Sequence, residues 1–507
     1  MEFKILIELV QTITRNKIKH IEVLGNPDQK GTMIDSFYDG IAKGILTSDK
    51  VAANHFYGDK TGKEVAYKRL KNRLVQQLTT TALFVDVNQP SFNERSKAYF
   101  TCYKDFAAAF IVILRGSEKA GIYMLEQVLE QSIKFEFIEL TADITRHLRS
   151  QTARGTIDQK QHQYYVLLHR QFEEKRRLEM LSLDYFEELV DYYIVRRSPN
   201  QEVRRLAEMY FDELLPMAVK ADTSRFYYNT YQIGFIKYFA VNDCKAVLKL
   251  IFEIASLLES RKNTNRSMLQ AIALQKIACL TQLKIFEDNI GGKTAEYCLE
   301  LGSDGEINWF RALEGYFYYL SYQSKYVESL NIFKKAIKHH CFSHLEGVFK
   351  DTWLLLGGYL HLLATLGKLD PTEVEQIVGP YRYGRLLNEV QVVDKDREGM
   401  NIPLILLPVL FSLAQGNYQA YGRSKEALDK YRQRYLDNEV NQRSAIFVNM
   451  LMALDKRSYD PVDADKRIKK GLEALSQEQP QVVGQNFAIE IVPYEDLWAM
   501  LNEKMKK

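Results

Sequence analysis

Between Trp309 and Lys368 the chain reads as a helix, a tight turn and a helix, and then the same again. Ala312 to Leu320 forms the first run and Tyr326 to Ile337 the second. In the second run Leu330, Phe333 and Ile337 recur at intervals of three and four, which is one buried helical stripe. The short polar step Ser324-Lys325 between the runs is where a turn falls. The following run opens with Trp353, Leu356, Gly357 and Leu360, the spacing W-x2-L-G-x2-L. Trp353 needs a slot in a neighbouring helix, and Gly357 lets that helix approach closely. A helix pair of this size cannot bury its apolar face alone. It needs another pair on each side, which leads to a stacked array.

Trp353, Leu356 and Gly357, with Tyr326, Phe333 and Ala336 in the unit before, resemble the tetratricopeptide repeat. The chain departs from that family in three places. Phe317 and Gly357 are 40 residues apart (357 − 317), against the family's period of about 34. Ser329 stands where a small alanine is usual, and no proline follows His340. The resemblance implies an all-α fold, a right-handed α-solenoid of antiparallel helix pairs, here with a small N-terminal helical domain. It also implies an inner face that binds a peptide or partner protein. Tyr316, Tyr319 and Tyr322, from a dense set with Tyr318 and Tyr326, are candidates to line that face, although packing between repeats would use the same residues. Arg382 and Arg385 join them from 379–401, the least periodic segment, read as a loop.

Only 11 prolines and 26 glycines interrupt 507 residues, which favours long helices. Apolar residues at 46% and charged residues at 26% suit a folded chain. The net charge of +3 gives no global pull toward nucleic acid or acidic lipid. Five scattered cysteines without a C-x-x-C point to a reducing, cytoplasmic setting. The start lacks the long apolar core of a secretory leader, and the most apolar run, Ile402 to Leu413, is far short of a membrane span.

Residues 1–86 read differently from the rest. Helices are expected near Ile5–Ile13 and over Met33–Ile45, the latter with Phe37, Ile41 and Ile45 as its stripe. Thr47-Ser48-Asp49 caps a short helix, and a longer one runs from about Glu64 to Phe84. On that longer helix Leu70, Leu74 and Leu78 face inward. Arg69, Asn72, Arg73 and Gln76, with Lys68 beside them, share an outward face. From Lys60 to Gln77 six basic residues (60, 63, 68, 69, 71, 73) oppose Glu64 alone, a local charge of 6 − 1 = +5. A short helix, a turn and a basic helix is the order of a helix-turn-helix, and Arg, Asn and Gln can read base edges. A solvated basic face is the plainer reading. The breaker cluster at Asp86–Pro90 ends this domain. The repeat array then spans 90–480, with helix starts about every 20 residues, including separate helices at Gln159–Met180 and Leu183–Arg197. Residues 481–507 read as an extended cap or short strand over 482–493, then a closing helix.

Chemistry is sparse. Gly291-Gly292-Lys293-Thr294 hints at a phosphate loop, but Glu287 occupies the place of its first glycine and helix precedes it. His339, His340, Cys341 and His344 cluster where a helix ends; the spacing crosses a turn, and imidazoles there suit the helix dipole. No catalytic motif sits in its required setting. The expectation is therefore a protein-interaction scaffold, with no enzyme activity, cofactor, metal or membrane. The alternative is a nucleic-acid-binding regulator acting through the basic helix.

Overall fold

The computed structural model describes residues 1–15, 32–58, 63–83, 87, 93–153, 159–195, 200–390, 401–436, 442–454, 461–478, 480 and 490–506. Among them the fold is all-α, with no strand. Of the stretch expected to be extended, 482–489 lies outside the described residues, and 490–493 bends into the Tyr494–Lys506 helix. No helix among the described residues is long and apolar enough to cross a membrane. The chain forms two compact units, Met1–Arg170 and Gln171–Lys507.

The first unit holds two separate cores. The N-terminal one gathers Leu6, Val10, Phe37, Ile41, Leu46 and Leu74 from the helices Phe3–Arg15, Met33–Ala42, Asp49–Tyr57 and Lys63–Ala82. Thr32 opens the second of these helices with a reciprocal cap. Its hydroxyl accepts from Asp35 N at 3.2 Å, and Asp35 Oδ2 accepts from Thr32 N at 3.0 Å. That helix stops before Ile45, because Gly44 turns left-handed (φ +71) and the Leu46 amide closes back on Gly40 O at 3.0 Å. Leu46 thus takes the core place expected for Ile45, which is exposed. The second core joins Leu125, Leu129, Ile144 and Leu148 from the consecutive helices Glu118–Lys134 and Ile138–Thr152, packed after Glu94–Leu114.

The break expected after Met180 is absent. Gln159–Val190 is one helix, followed by a π-helical turn at Asp191–Val195. Leu181-Ser182-Leu183 contains neither glycine nor proline, so nothing in the backbone requires a stop there.

In the second unit consecutive helices pack on one another. The series runs Ser224–Phe239, Cys244–Glu259, Arg266–Gln282, Ile290–Leu301, Ile307–Ser321 and Tyr326–Ile337. Several also touch the helix after next, as Arg266–Gln282 does Ile307–Ser321. Between Ile307–Ser321 and Tyr326–Ile337, Ser324 turns left-handed (φ +56) and the Lys325 amide bonds Leu320 O at 3.0 Å. Leu330 and Phe333 are buried as the periodicity requires, and Trp353 packs on Phe333 with ring centroids 5.7 Å apart. A Cβ on Gly357 would stand 2.9 Å from Val378 and 3.4 Å from Phe333, so the close approach inferred for this glycine is real. Ser329 keeps its hydroxyl buried by pairing with Ser321 Oγ at 3.1 Å. The Tyr494–Lys506 helix completes this core through Leu497, Trp498 and Leu501. Tyr322 donates to the carbonyl of Glu490 at 2.8 Å.

Candidate functional site

The tyrosines expected on a binding face lie mostly inside. Tyr319 and Tyr322 are buried, as are Tyr318 and Tyr326, and Tyr316 is half-buried. Both Tyr319 and Tyr322 turn inward on the Ile307–Ser321 helix and its cap. Tyr319 packs edge-on against Phe286, and Tyr322 reaches the C-terminal segment. They are packing residues in this fold. The segment read as a loop contains a helix, Tyr383–Glu389, and 391–400 lies outside the described residues. Arg382 is exposed at the start of that helix, and Arg385 is within it. Gly291 and Gly292 sit in the first turn of Ile290–Leu301. A Cβ there would meet the Tyr319 ring at 2.1 Å or the Asn289 side chain at 2.4 Å. These glycines make room for packing.

A different place in the second unit has the shape of a binding site. The helices Cys244–Glu259, Arg266–Gln282 and Ile290–Leu301 line a half-open cavity of about 250 Å³. Ile251, Ala255, Leu269, Ile272 and Ala273 form its apolar walls, with Phe252 at the rim. Lys276 enters this surface half-buried, its Nζ 4.9 Å from the centre of the Phe252 ring. Burial holds the Lys276 ammonium below the usual lysine range, and Glu259 only partly offsets this. Glu259 is itself engaged, accepting from Tyr297 Oη at 3.1 Å. Burial, with Glu259 alongside, pushes the Tyr297 phenol up to about 12. Lys293 adds a second, exposed ammonium at the edge. The cavity therefore offers apolar walls, an aromatic rim and two ammonium groups against the single carboxylate of Glu259. It suits an anionic group carried next to an apolar one, at the scale of a side chain or two. The sequence signal for it is Lys276 itself, which continues the apolar spacing Leu269, Ile272, Ala273.

In the first unit the basic helix presents the face that its spacing predicts. Lys68, Arg69, Asn72, Arg73 and Gln76 are all exposed. Lys71 is not part of that face. It is buried and its ammonium donates to Asp49 Oδ1 at 2.6 Å, where Tyr67 Oη also donates at 2.5 Å. Burial pushes the Asp49 carboxyl up, but these two hydrogen bonds outweigh it and hold it below the usual range. The interhelical pin thus consumes one of the six basic residues counted in the sequence, and Lys60 lies outside the described residues. The helix before, Asp49–Tyr57, ends at Gly58 with φ +54, so a short helix and a longer one do follow in order, with 59–62 between them outside the described residues.

The chain matches no protein-family model, no curated protein and no solved structure.

Proposed function

We propose that the protein is an interaction scaffold: a tetratricopeptide-like, right-handed α-solenoid of antiparallel helix pairs that holds an acidic, amphipathic peptide segment of a partner protein. The observation that carries this reading is the half-buried ammonium of Lys276 beside Phe252 in an apolar cavity, which Glu259 only partly neutralises. Burial disfavours that ammonium more than Glu259 favours it, and a carboxylate from a partner adds the missing negative charge while its neighbouring apolar side chain fills the walls. Sequential helix packing supports the array, and the W-x2-L-G-x2-L unit supports its kinship to peptide-holding repeats.

The test is fluorescence anisotropy with a labelled short peptide that alternates glutamate with leucine and phenylalanine, beside a lysine-for-glutamate counterpart. The reading requires that the acidic peptide bind, that the basic one fail, and that Lys276→Ala with Lys293→Ala weaken binding at least about tenfold, or about 1.4 kcal/mol. Equal binding of both peptides, or full binding by the double variant, would sink it.

A second reading has its own observation. The five exposed side chains Lys68, Arg69, Asn72, Arg73 and Gln76 stand on the second helix of a helix-turn-helix order. They favour a nucleic-acid-binding regulator in which the array receives the partner. Titration with mixed duplex DNA and single-stranded RNA at two salt concentrations decides it. Binding that falls steeply with salt and disappears in Arg69→Glu/Arg73→Glu supports this reading. Binding that the variant retains excludes this face.

A further inference from the structure

The Tyr326–Ile337 helix ends in a reversal that gathers three donor side chains. His339 is extended and caps a short 3-10 helix, His340–His344, so consecutive residues leave the backbone where it turns. One donor atom each from His339, His340 and Cys341 lies within 4.8 Å of the other two. The turn, which from sequence separated these residues, is what assembles them. We propose that they form a binding site for a zinc-type transition metal, with the Cys341 thiolate and the two imidazoles as ligands.

The local geometry orients His339, which gives up one hydrogen bond to take this role. Its Nε2 lies 3.3 Å from Asp304 Oδ2, and its Nδ1 accepts from the Cys341 amide at 3.2 Å. A neutral imidazole has one donor and one acceptor, so the proton belongs on Nε2, facing the carboxylate. The lone pair is then on Nδ1, where the Cys341 amide occupies it, so a metal at Nδ1 takes that lone pair over from the amide. A carboxylate holding the far nitrogen is how metal-bound imidazoles are commonly oriented. The ring is also fixed by Trp309, 4.8 Å between centroids, and lies 4.4 Å from the His340 ring.

Gly305 confirms how tightly the donors are set. It is left-handed (φ +82), and a Cβ there would stand 2.4 Å from His339 Cε1 and 2.9 Å from Cys341 Sγ. Any larger residue would push the donors apart. Cys341 is also the one cysteine of the five that is not buried, so an ion can reach it. Zinc bonds of about 2.0–2.3 Å place tetrahedral ligands roughly 3.3–3.8 Å apart. The exposed His340 ring can close the remaining distance by rotation. Two imidazoles and a thiolate select zinc-like ions over magnesium or calcium, and they leave one position for water. Binding releases the Cys341 thiol proton to solvent as the sulfur–metal bond forms.

The test uses the full chain, stripped with chelator and titrated with Co²⁺ as a spectroscopic probe, then with Zn²⁺. The site predicts one equivalent of Co²⁺ giving a thiolate-to-metal charge-transfer band, displaced by Zn²⁺. Cys341→Ser removes the band. His340→Ala, at an exposed position, weakens affinity at least tenfold. Asp304→Asn keeps the band but costs about 10–100-fold in affinity, the usual effect of losing such an orienting partner. Circular dichroism confirms that each variant is folded. Absence of the band, its survival in Cys341→Ser, or an unchanged affinity in His340→Ala overturns the proposal.

Discussion

Arg443 and Glu490 meet through two parallel hydrogen bonds, Nε to Oε2 at 2.9 Å and Nη2 to Oε1 at 2.7 Å, with both side chains buried. The same Nη2 reaches Glu495 Oε2 at 2.7 Å, and Nη1 donates to the carbonyls of Leu475 and Glu478. Tyr494 N donates to Glu490 Oε1 at 2.8 Å. This fork ties the C-terminal helix to the Gln442–Met452 helix. Arg443→Met leaves the carboxylate buried without its cation and is expected to cost about 3–5 kcal/mol in urea unfolding. Arg443→Met with Glu490→Leu should recover most of that loss, because two apolar groups replace two charges that were costly to bury. A single Arg443→Met variant as stable as the parent would show that the pair is unimportant.

Glu314 gives a pH test. It is buried on the Ile307–Ser321 helix, and burial raises its carboxyl above the ordinary value of 4.5, with Arg311 and the Tyr318 hydroxyl pulling the other way. A carboxyl with a raised folded value takes up a proton on folding. Its contribution to stability is therefore unfavourable above 4.5 and grows as pH climbs through the raised value. Glu314→Gln should stabilise the protein at neutral and alkaline pH, with the gain vanishing below 4.5, where both states are protonated. Thermal melts across pH read this directly; a gain that is the same in acid contradicts it.

Two glycines in helices should respond in opposite directions to alanine. Gly357→Ala forces Val378 and Phe333 aside and is expected to cost about 1–3 kcal/mol. Gly422 lies within the Tyr418–Tyr435 helix with nothing within 4 Å of an added Cβ. Gly422→Ala should gain about 0.5–1 kcal/mol from helix propensity. Denaturant midpoints for the two variants settle whether close packing, and not local flexibility, explains Gly357.

Peptide binding in the groove should itself depend on pH. Burial lowers the Lys276 ammonium, and an incoming carboxylate would raise it again, so binding takes up protons. Affinity should fall as pH rises through the lowered lysine value, and earlier than it falls in Lys293→Ala, where Lys276 acts alone against less competing charge. Titration calorimetry in buffers of different ionisation heat measures the proton uptake. No uptake would mean that Lys276 does not meet the anion.

The architecture was legible where apolar spacing and breakers agreed. The stripe Leu330–Phe333, the slot for Trp353 and the role of Gly357 could all be read from periods of three and four. Failures came where the backbone departed from periodicity without a strong marker. The Met33–Ala42 helix ended three residues before Ile45, with Gly44 turning the chain, and Leu181-Ser182-Leu183 carried on where the sequence reads as a break. Side-chain direction was harder still. Tyr316, Tyr319 and Tyr322 differ in depth because they occupy different sides of a helix covered by neighbours distant in sequence. The groove around Lys276 draws its walls from three helices, so no single stretch announces it. The Lys68–Gln76 face was legible because exposure there depends on one helix only.

The hydroxyl of Tyr322 bonds the backbone of Glu490, a partner 168 residues further along the chain. At synthesis rates of about 5–20 residues per second, that acceptor emerges roughly 8–34 s after its donor. Until then the Tyr322 side of the core lacks Ile491, Val492, Leu497 and Trp498 and presents oily surface to the cell. A pause in synthesis between these two segments would therefore expose a sticky helical surface, and such nascent chains should be clients of holdase chaperones until the Tyr494–Lys506 helix docks.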